Sequence, residues 1–380
     1  MEPGHVGPDG RFGSSIAGGC VMRLKSLVVH ALASGARLAP LRPLMRELYR
    51  RRTAVVFYHG VWPSGSGDVG RFGGLEIDAL RHDLELLGRY FRFAPLDEVV
   101  RLNSAGTPPD RPVIAVTFDD GHEMARSGAK DLLAEFRVPA TLFVVSRCIG
   151  NQHLLWTHKF FAALHGRGAD RFVAAYNRVV ERAGVARPIG SVRELPWAAK
   201  AWPMRLKDEL AQQIYDACDM PPVAEYLDRH RPYMSWGDLE GWRDAGHAIG
   251  LHTATHPFCS VLSRTELEEE LVAPAWQLRR RLSLPSLPFA YPFGDRIASS
   301  GVASALSMRA GLSCMLGVDG LSTPGTSPLA LQRVDAEAGL DLHLFAKPLR
   351  SAVIDNVLRP LASVVVGTIP KPSRPYALSR

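Results

Sequence analysis

The chain has 380 residues, 46% hydrophobic and 22% charged, with mean hydropathy near zero. This excludes the disordered and fibrous classes and allows one large α/β domain or two smaller ones. Five cysteines without CxxC spacing argue against a disulfide framework or a zinc ribbon, and the net charge of +7 is concentrated in one place: residues 22–52 hold eight basic residues against Glu47 alone. With the excess so confined, no nucleic-acid partner is expected.

Residues 1–52 open Gly-rich, with no charged n-region followed by an apolar h-region, so a secretory leader is not expected; Met22 is an alternative start. Leu24, Leu27, Val28 and Leu32, then Leu41, Leu44, Met45 and Leu48, have amphipathic helical spacing broken by Gly35, Pro40 and Pro43. Such a basic segment suits two readings, a helix lying on an anionic bilayer surface or a solvated helix packed on the body of the protein. No window approaches the roughly 18 to 20 apolar residues of a spanning helix. A cytoplasmic or membrane-peripheral protein is therefore expected.

Thr53 begins a β-branched and aromatic run that reads as the first buried strand, with His59 at its C-terminal end. The Gly65-Ser66-Gly67-Asp68-Val69-Gly70 stretch is formally a GxGxxG, but no helix pattern follows, so a flexible loop is expected rather than a nucleotide site. Helices are predicted at 77–90, 97–102 and 127–137, and strands at 112–118 and 140–146. Alternating short buried strands with helices is the pattern of a parallel βα architecture. Residues 151–232 break the rhythm with apolar residues at helical intervals and no strand-like run, which predicts an all-helical insertion near the active face. Further on, a helix at 236–245, a strand at 248–251 and a long helix at 265–282 with a Thr-x-x-Glu cap are expected. Strands at 288–291, 313–316 and 331–334 follow, then an apolar element at 353–366 and a Pro-rich end.

Two stretches carry chemistry. Asp119 and Asp120 close the apolar run of a buried strand, where ionised groups must be hydrogen-bonded, metal-bound or catalytic. His252 and His256 stand four residues apart just past another apolar strand. One carboxylate and two imidazoles form a mixed donor set suited to Zn²⁺, with Co²⁺, Ni²⁺ or Mn²⁺ also admissible, and leave a coordination position open. A second carboxylate would then be spare for proton transfer.

Thr117-Phe118-Asp119-Asp120-Gly121, Ala140-Thr141-Leu142-Phe143-Val144, His252-Thr253-Ala254-Thr255-His256 and Phe289-Ala290-Tyr291-Pro292-Phe293-Gly294 follow one another along the chain. With Tyr58-His59-Gly60-Val61, Met234-Ser235-Trp236 and Gln332-Arg333-Val334, this set resembles the polysaccharide deacetylase family, also called NodB-homology or carbohydrate esterase family 4. The resemblance covers most of residues 53–345. It implies an α/β fold, a distorted (β/α) barrel, spanning 53–360 with the helical insertion at about 151–232, between the basic segment 1–52 and a tail at 361–380. It also implies Asp120, His252 and His256 as metal ligands and Asp119 as general base. The oxyanion donor would be the N–H of Tyr291. The family's late leucine-histidine motif, the source of its general acid, has no clean match: His343 of Leu342-His343 is the candidate, in surroundings that read as the start of an amphipathic helix, with protonated Asp119 or a metal-bound water as alternatives.

Two positions depart from the family pattern. Ala290 stands where many members carry a base-orienting arginine, and Phe293 replaces the second tyrosine of the Phe-Ala-Tyr-Pro-Tyr-Gly subgroup, which is linked to exopolysaccharide modification. Arg333 could take the arginine's place, Trp236 could stack on a sugar, and His59 ends a strand on the catalytic side, although ordinary packing or a surface ion pair suits each as well. The resulting expectation is removal of N-acyl, chiefly N-acetyl, groups from amino sugars of a polysaccharide or lipid-linked saccharide. A deacylase or deformylase of a small amide metabolite and a catalytically silent glycan-binding protein are the rival readings.

Overall fold

The computed structural model describes residues 53–337, apart from 107–108 and 125–126. The basic segment 1–52, His343, the run at 353–366 and the tail at 361–380 lie outside the described residues.

The strands are β1 (Thr53–Tyr58), β2 (Val61–Trp62), β3 (Leu75–Glu76), β4 (Arg92–Phe93), β5 (Val113–Phe118) and β6 (Ala140–Val144), then β7 (Ala248–Leu251), β8 (Leu287–Ala290), β9 (Leu312–Gly317), β10 (Leu331–Gln332) and β11 (Val334–Asp335). One sheet runs β10-β9-β8-β7-β6-β5-β1-β11 with β4 beside β5, and β2 pairs with β3 separately. Its pairings are parallel throughout. Every residue of β1, β5 and β6 is buried, which is why these strands read as continuous apolar runs rather than as alternating ones.

The two ends of the sheet are consecutive in the chain. β10 pairs with β9, β11 pairs with β1, and Arg333 alone separates them, so the sheet curls into a nearly closed barrel. The predicted single strand at 331–334 is thus two short pieces kinked about an arginine. Helices Ile77–Tyr90, Leu96–Ala105, Ala129–Glu135, Trp236–Asp244, Ala273–Leu282 and Ser300–Ala310 flank the barrel, giving the expected (β/α) arrangement.

Between β6 and Trp236 lie the helices Trp156–Arg167, Ala169–Ala183, Leu195–Lys200, Lys207–Ala217 and Val223–His230, with no strand among the described residues. Phe172, Tyr176, Trp202 and Ile214 form their shared core, which continues onto Trp62, Phe72 and Phe258 of the barrel loops. The segment is therefore seated on the end of the barrel where β1, β5 and β7 deliver their last residues.

Two local expectations are corrected. A short helix, Asp68–Phe72, forms in the Gly-rich loop, because Phe72 is buried against Trp62 and the Trp62 Nε1–H donates to Gly73 O at 2.7 Å. The long helix at 265–282 is capped by Ser263 and Glu266 in a reciprocal box rather than by Thr265, and a π-helical turn at Glu268–Val272 interrupts it. Among the described residues no helix is long and apolar enough to cross a membrane.

Gly250 of β7 is closely packed. A Cβ there would stand 2.8 Å from Pro288 O and collide with the Phe143 ring. Gly250→Ala is expected to lower stability by about 1–3 kcal/mol through overpacking, read as a shift in the urea midpoint at constant slope.

Candidate metal centre

β5 ends at Phe118, and the Asp119 N–H extends its ladder by donating to Tyr58 O at 2.8 Å. The chain then turns through left-handed backbone at Asp120 (φ 67°) and Gly121 (φ 73°). This reversal sends both carboxylates into one cavity of about 400 Å³, which His252, His256 and Arg333 also line. Thr253 (φ 66°), His256 (φ 61°) and Phe293 (φ 56°) are further non-glycine residues in the same region of φ, so strained backbone gathers at this site.

Asp120 Oδ1 lies 3.5 Å from His256 Nε2 and 3.8 Å from His252 Nε2. Triangles of that size leave room for a cation at the roughly 2.0–2.2 Å typical of zinc–nitrogen and zinc–oxygen bonds. His252 Nδ1–H donates to Ala290 O at 2.8 Å, which turns the Nε2 lone pair toward the triangle. Ala290, where the family arginine is missing, thus orients a ligand through its carbonyl. The 252–257 loop is clamped from outside. Glu270, on the π-helical turn, accepts from the Ala254 and Thr255 N–H groups at 2.9 and 2.8 Å and from the Thr255 hydroxyl at 2.6 Å. Trp156 Nε1–H donates to His256 O at 2.8 Å, and the His256 N–H donates to Thr253 Oγ1 at 2.9 Å.

His122 and His158 bring a second possible ligand set to Asp120. The two oxygens of Asp120 decide between them. Oδ2 already meets His158 Nε2 at 3.3 Å, whereas Oδ1 is buried without a hydrogen-bond partner. An orphaned carboxylate oxygen aimed at two imidazole nitrogens is what a cation would satisfy, so the donor set Asp120, His252 and His256 fits a divalent metal. His158 comes from the helical segment. Its Nδ1 is 2.6 Å from Tyr233 OH, which also accepts the Leu155 N–H at 3.0 Å. His122 is stacked on His158 and Tyr233, and burial pulls its pKa down to about 3.

Asp119 is held differently. Arg333 grips it in a two-pronged pair, Nη1 to Oδ1 at 2.7 Å and Nη2 to Oδ2 at 2.8 Å, and Nη1 also reaches Thr117 Oγ1 at 3.3 Å. The guanidinium is fully buried and lies over the Phe57 and Phe143 rings at 4.6 and 5.2 Å. Burial alone would push the Asp119 carboxyl up, but Arg333, with His252 and His59, reverses it and holds the group below the ordinary carboxylate range. The orienting arginine thus enters from the barrel seam instead of from position 290.

At the end of the neighbouring strand β1, His59 donates its backbone N–H to Glu337 Oε1 at 2.5 Å and its Nδ1 lies 3.0 Å from Oε2. Burial works against the imidazolium, but the hydrogen bond and charge of Glu337, with Asp120 and Asp119, outweigh it and push the pKa up to about 10.

Asp119, Asp120, His252, His256 and Tyr291 therefore meet in one cavity. The oxyanion expectation for Tyr291 is corrected: its N–H already donates to Leu316 O of β9 at 3.0 Å. Pro292 has no N–H, and Phe293 carries the next one, at the start of a 3₁₀ turn where such donors lack an intrahelical partner. His343 lies outside the described residues. Trp236 lines no part of the cavity and sits beneath the Arg281 guanidinium at 4.7 Å, so it packs rather than stacks on a substrate here. Cys259 is buried, and burial raises its thiol well above the ordinary range. His158, Tyr233, Glu270 and Glu337 escape sequence reasoning because each acts from a distant, motif-free stretch.

Charged and imidazole groups converging at the C-terminal mouth of a parallel barrel stand where enzymes of this architecture carry their active sites. The sequence profile for polysaccharide deacetylase matches residues 106–190 and 197–311, more than half of the chain, and the chain belongs to that family. It is similar to the solved structure of the Streptococcus pyogenes deacetylase PplD in complex with acetate, with 14% identity and a TM-score of 0.46 over 75% of this chain and 92% of that one. It is similar also to IcaB from Ammonifex degensii, with 17% identity and a TM-score of 0.49 over 78% and 97%. The BpsB deacetylase domain from Bordetella bronchiseptica gives 14% identity and a TM-score of 0.42 over 76% and 96%. No curated protein matches the chain.

His158→Phe removes the hydrogen bond to Asp120 Oδ2 and keeps the aromatic packing. Zinc affinity measured by competition with a chromophoric chelator is expected to fall about 10- to 100-fold, as for other partners that orient a metal ligand.

Proposed function

We propose that the protein is a metal-dependent hydrolase that removes the N-acetyl group from an amino sugar of a polysaccharide or lipid-linked saccharide. The observation that carries this reading is the orphaned Oδ1 of Asp120, facing His252 and His256 with an Arg333-held Asp119 beside them. Asp120, His252 and His256 would hold the cation, with Zn²⁺ best matched to one oxygen and two nitrogen donors. Bound there, it would supply Lewis acidity toward the acyl oxygen and toward water.

The chain's own groups divide the remaining work. Asp119, kept ionised by Arg333, takes the proton from the attacking water. Arg333 holds both of its oxygens and so fixes the carboxylate in the cavity. Phe293 lines the cavity, and its N–H would donate to the charge that develops on the acyl oxygen, the role that Tyr291 cannot fill. His59 returns a proton to the departing amine. It lines the same cavity from the end of the strand next to the one carrying the carboxylates, and Glu337 keeps it protonated through neutral pH. This assignment replaces His343 with a histidine from the other end of the barrel domain.

Acetate release from N-acetylated glucosamine oligomers by the zinc-loaded protein tests the reading. Asp119→Asn is expected to lower the rate at least 100-fold while zinc binding persists. Equal rates for the two proteins would leave a glycan-binding protein without catalysis.

The role of His59 has its own signature in the pH profile. Its protonated form is the active one, so activity is lost as pH rises through its pKa. Glu337→Gln removes the group that raises that pKa, and the alkaline limb of kcat/KM is expected to move to lower pH. An unmoved limb would take the proton-donor role away from His59.

A further inference from the structure

A second cavity, of about 310 Å³, lies beside the catalytic one and shares Thr157, Phe161 and Phe293 with it. Trp156, Phe160, Leu164 and Leu195 of the helical segment face Phe258 across it. The charged residues on its wall are spent on each other: Lys200 Nζ is 2.5 Å from Asp295 Oδ1, and Asp295 Oδ2 accepts the Ser260 N–H at 2.7 Å. Sugar hydroxyls entering such a space would lose water and find almost no partners, which is costly. The walls suit hydrocarbon.

Its position relates it to the reaction. The Phe293 ring packs on His256 at 4.5 Å between centroids and on Phe258 at 4.3 Å, so a single aromatic ring stands between a candidate metal ligand and the apolar space. Phe161 and Phe293, on the shared rim, are 40% and 44% exposed, unusual for large apolar side chains and suited to a mouth that receives an apolar group.

We propose that this cavity holds the hydrocarbon chain of a lipid-linked saccharide, carried on the sugar whose amide is cleaved. The assignment rests on the deacetylase reading above. With acetyl as the leaving acyl group, its methyl is far too small for a space of about 310 Å³, and the chain belongs to the aglycone. Contacts of this kind are made equally in the ground state and the transition state, so they lower KM and leave kcat nearly unchanged. Each buried methylene is expected to strengthen binding about threefold to fourfold until the cavity fills.

The test is acetate release by the zinc-loaded full chain from N-acetylglucosamine β-alkyl glycosides, methyl through decyl and below their micellar concentrations, with calorimetric binding of the same compounds. A KM that falls steadily with chain length is expected, together with a flattened octyl-to-methyl ratio in Ala199→Phe, which fills the cavity from its wall. Leu164→Trp repeats the test from another wall should the first variant fail to fold. Acetate released equally well from every chain length would overturn the assignment while leaving deacetylation intact. In a parallel series of N-acyl glucosamine methyl glycosides, acetyl through octanoyl, chain-length dependence confined to the acyl group would overturn it in favour of an acyl-chain pocket. Absence of acetate from every compound would remove the deacetylase reading. In that case octyl binding that disappears in Ala199→Phe would still support a hydrocarbon site.

Discussion

The Arg333–Asp119 pair is the constraint on which the rest of the site depends. Two carboxylates at adjacent positions on one strand end cannot both stay ionised in a buried cavity without compensating charge. Arg333 compensates one of them with a two-pronged grip, and so leaves Asp120 as the carboxylate available to a cation. The same residue is the kink between β10 and β11, the point at which the two ends of the sheet meet. Closing the barrel and fixing Asp119 are therefore one structural event. A buried charge pair of this kind adds little net stability relative to apolar residues, but removing one partner strands the other.

Around that pair the site is assembled from three directions. Barrel strand ends supply Asp119, Asp120 and His252. The helical segment supplies His158, which fixes the second oxygen of Asp120, and Trp156, which holds the loop carrying His256. The interrupted helix supplies Glu270, whose two oxygens take up donors of that loop. The helical segment thus supports the candidate centre as well as forming a wall of the cavity. Its second contribution, the apolar space behind Phe293, would let the same helices govern which substrates arrive.

Much of this was legible in the sequence, and the reason is physical. Buried parallel strands leave continuous apolar runs, so the strands ending at Phe118 and Leu251 could be located along with the polar residues just beyond them. The helical character of 151–232 was legible from spacing alone. The partners that orient those polar residues were not. His158 lies on a helix whose pattern reports only packing, Glu270 sits on a π-helical turn that no periodicity announces, and Glu337 meets His59 from 278 positions away. Tyr291 was misassigned because a motif shows which residues are adjacent, whereas β9 decides which N–H remains free. Arg333 was a candidate from its residue type, but only the kink at the barrel seam explains how it reaches Asp119.

The central claim is that one divalent cation binds between Asp120, His252 and His256, with Asp119 held outside the coordination shell. X-ray absorption fine structure of the zinc-loaded protein measures this directly. The structure leads one to expect two imidazole nitrogens and at least one oxygen at about 2.0–2.2 Å. A shell of three or four imidazoles, drawing in His122 and His158, or a shell with none, would contradict it.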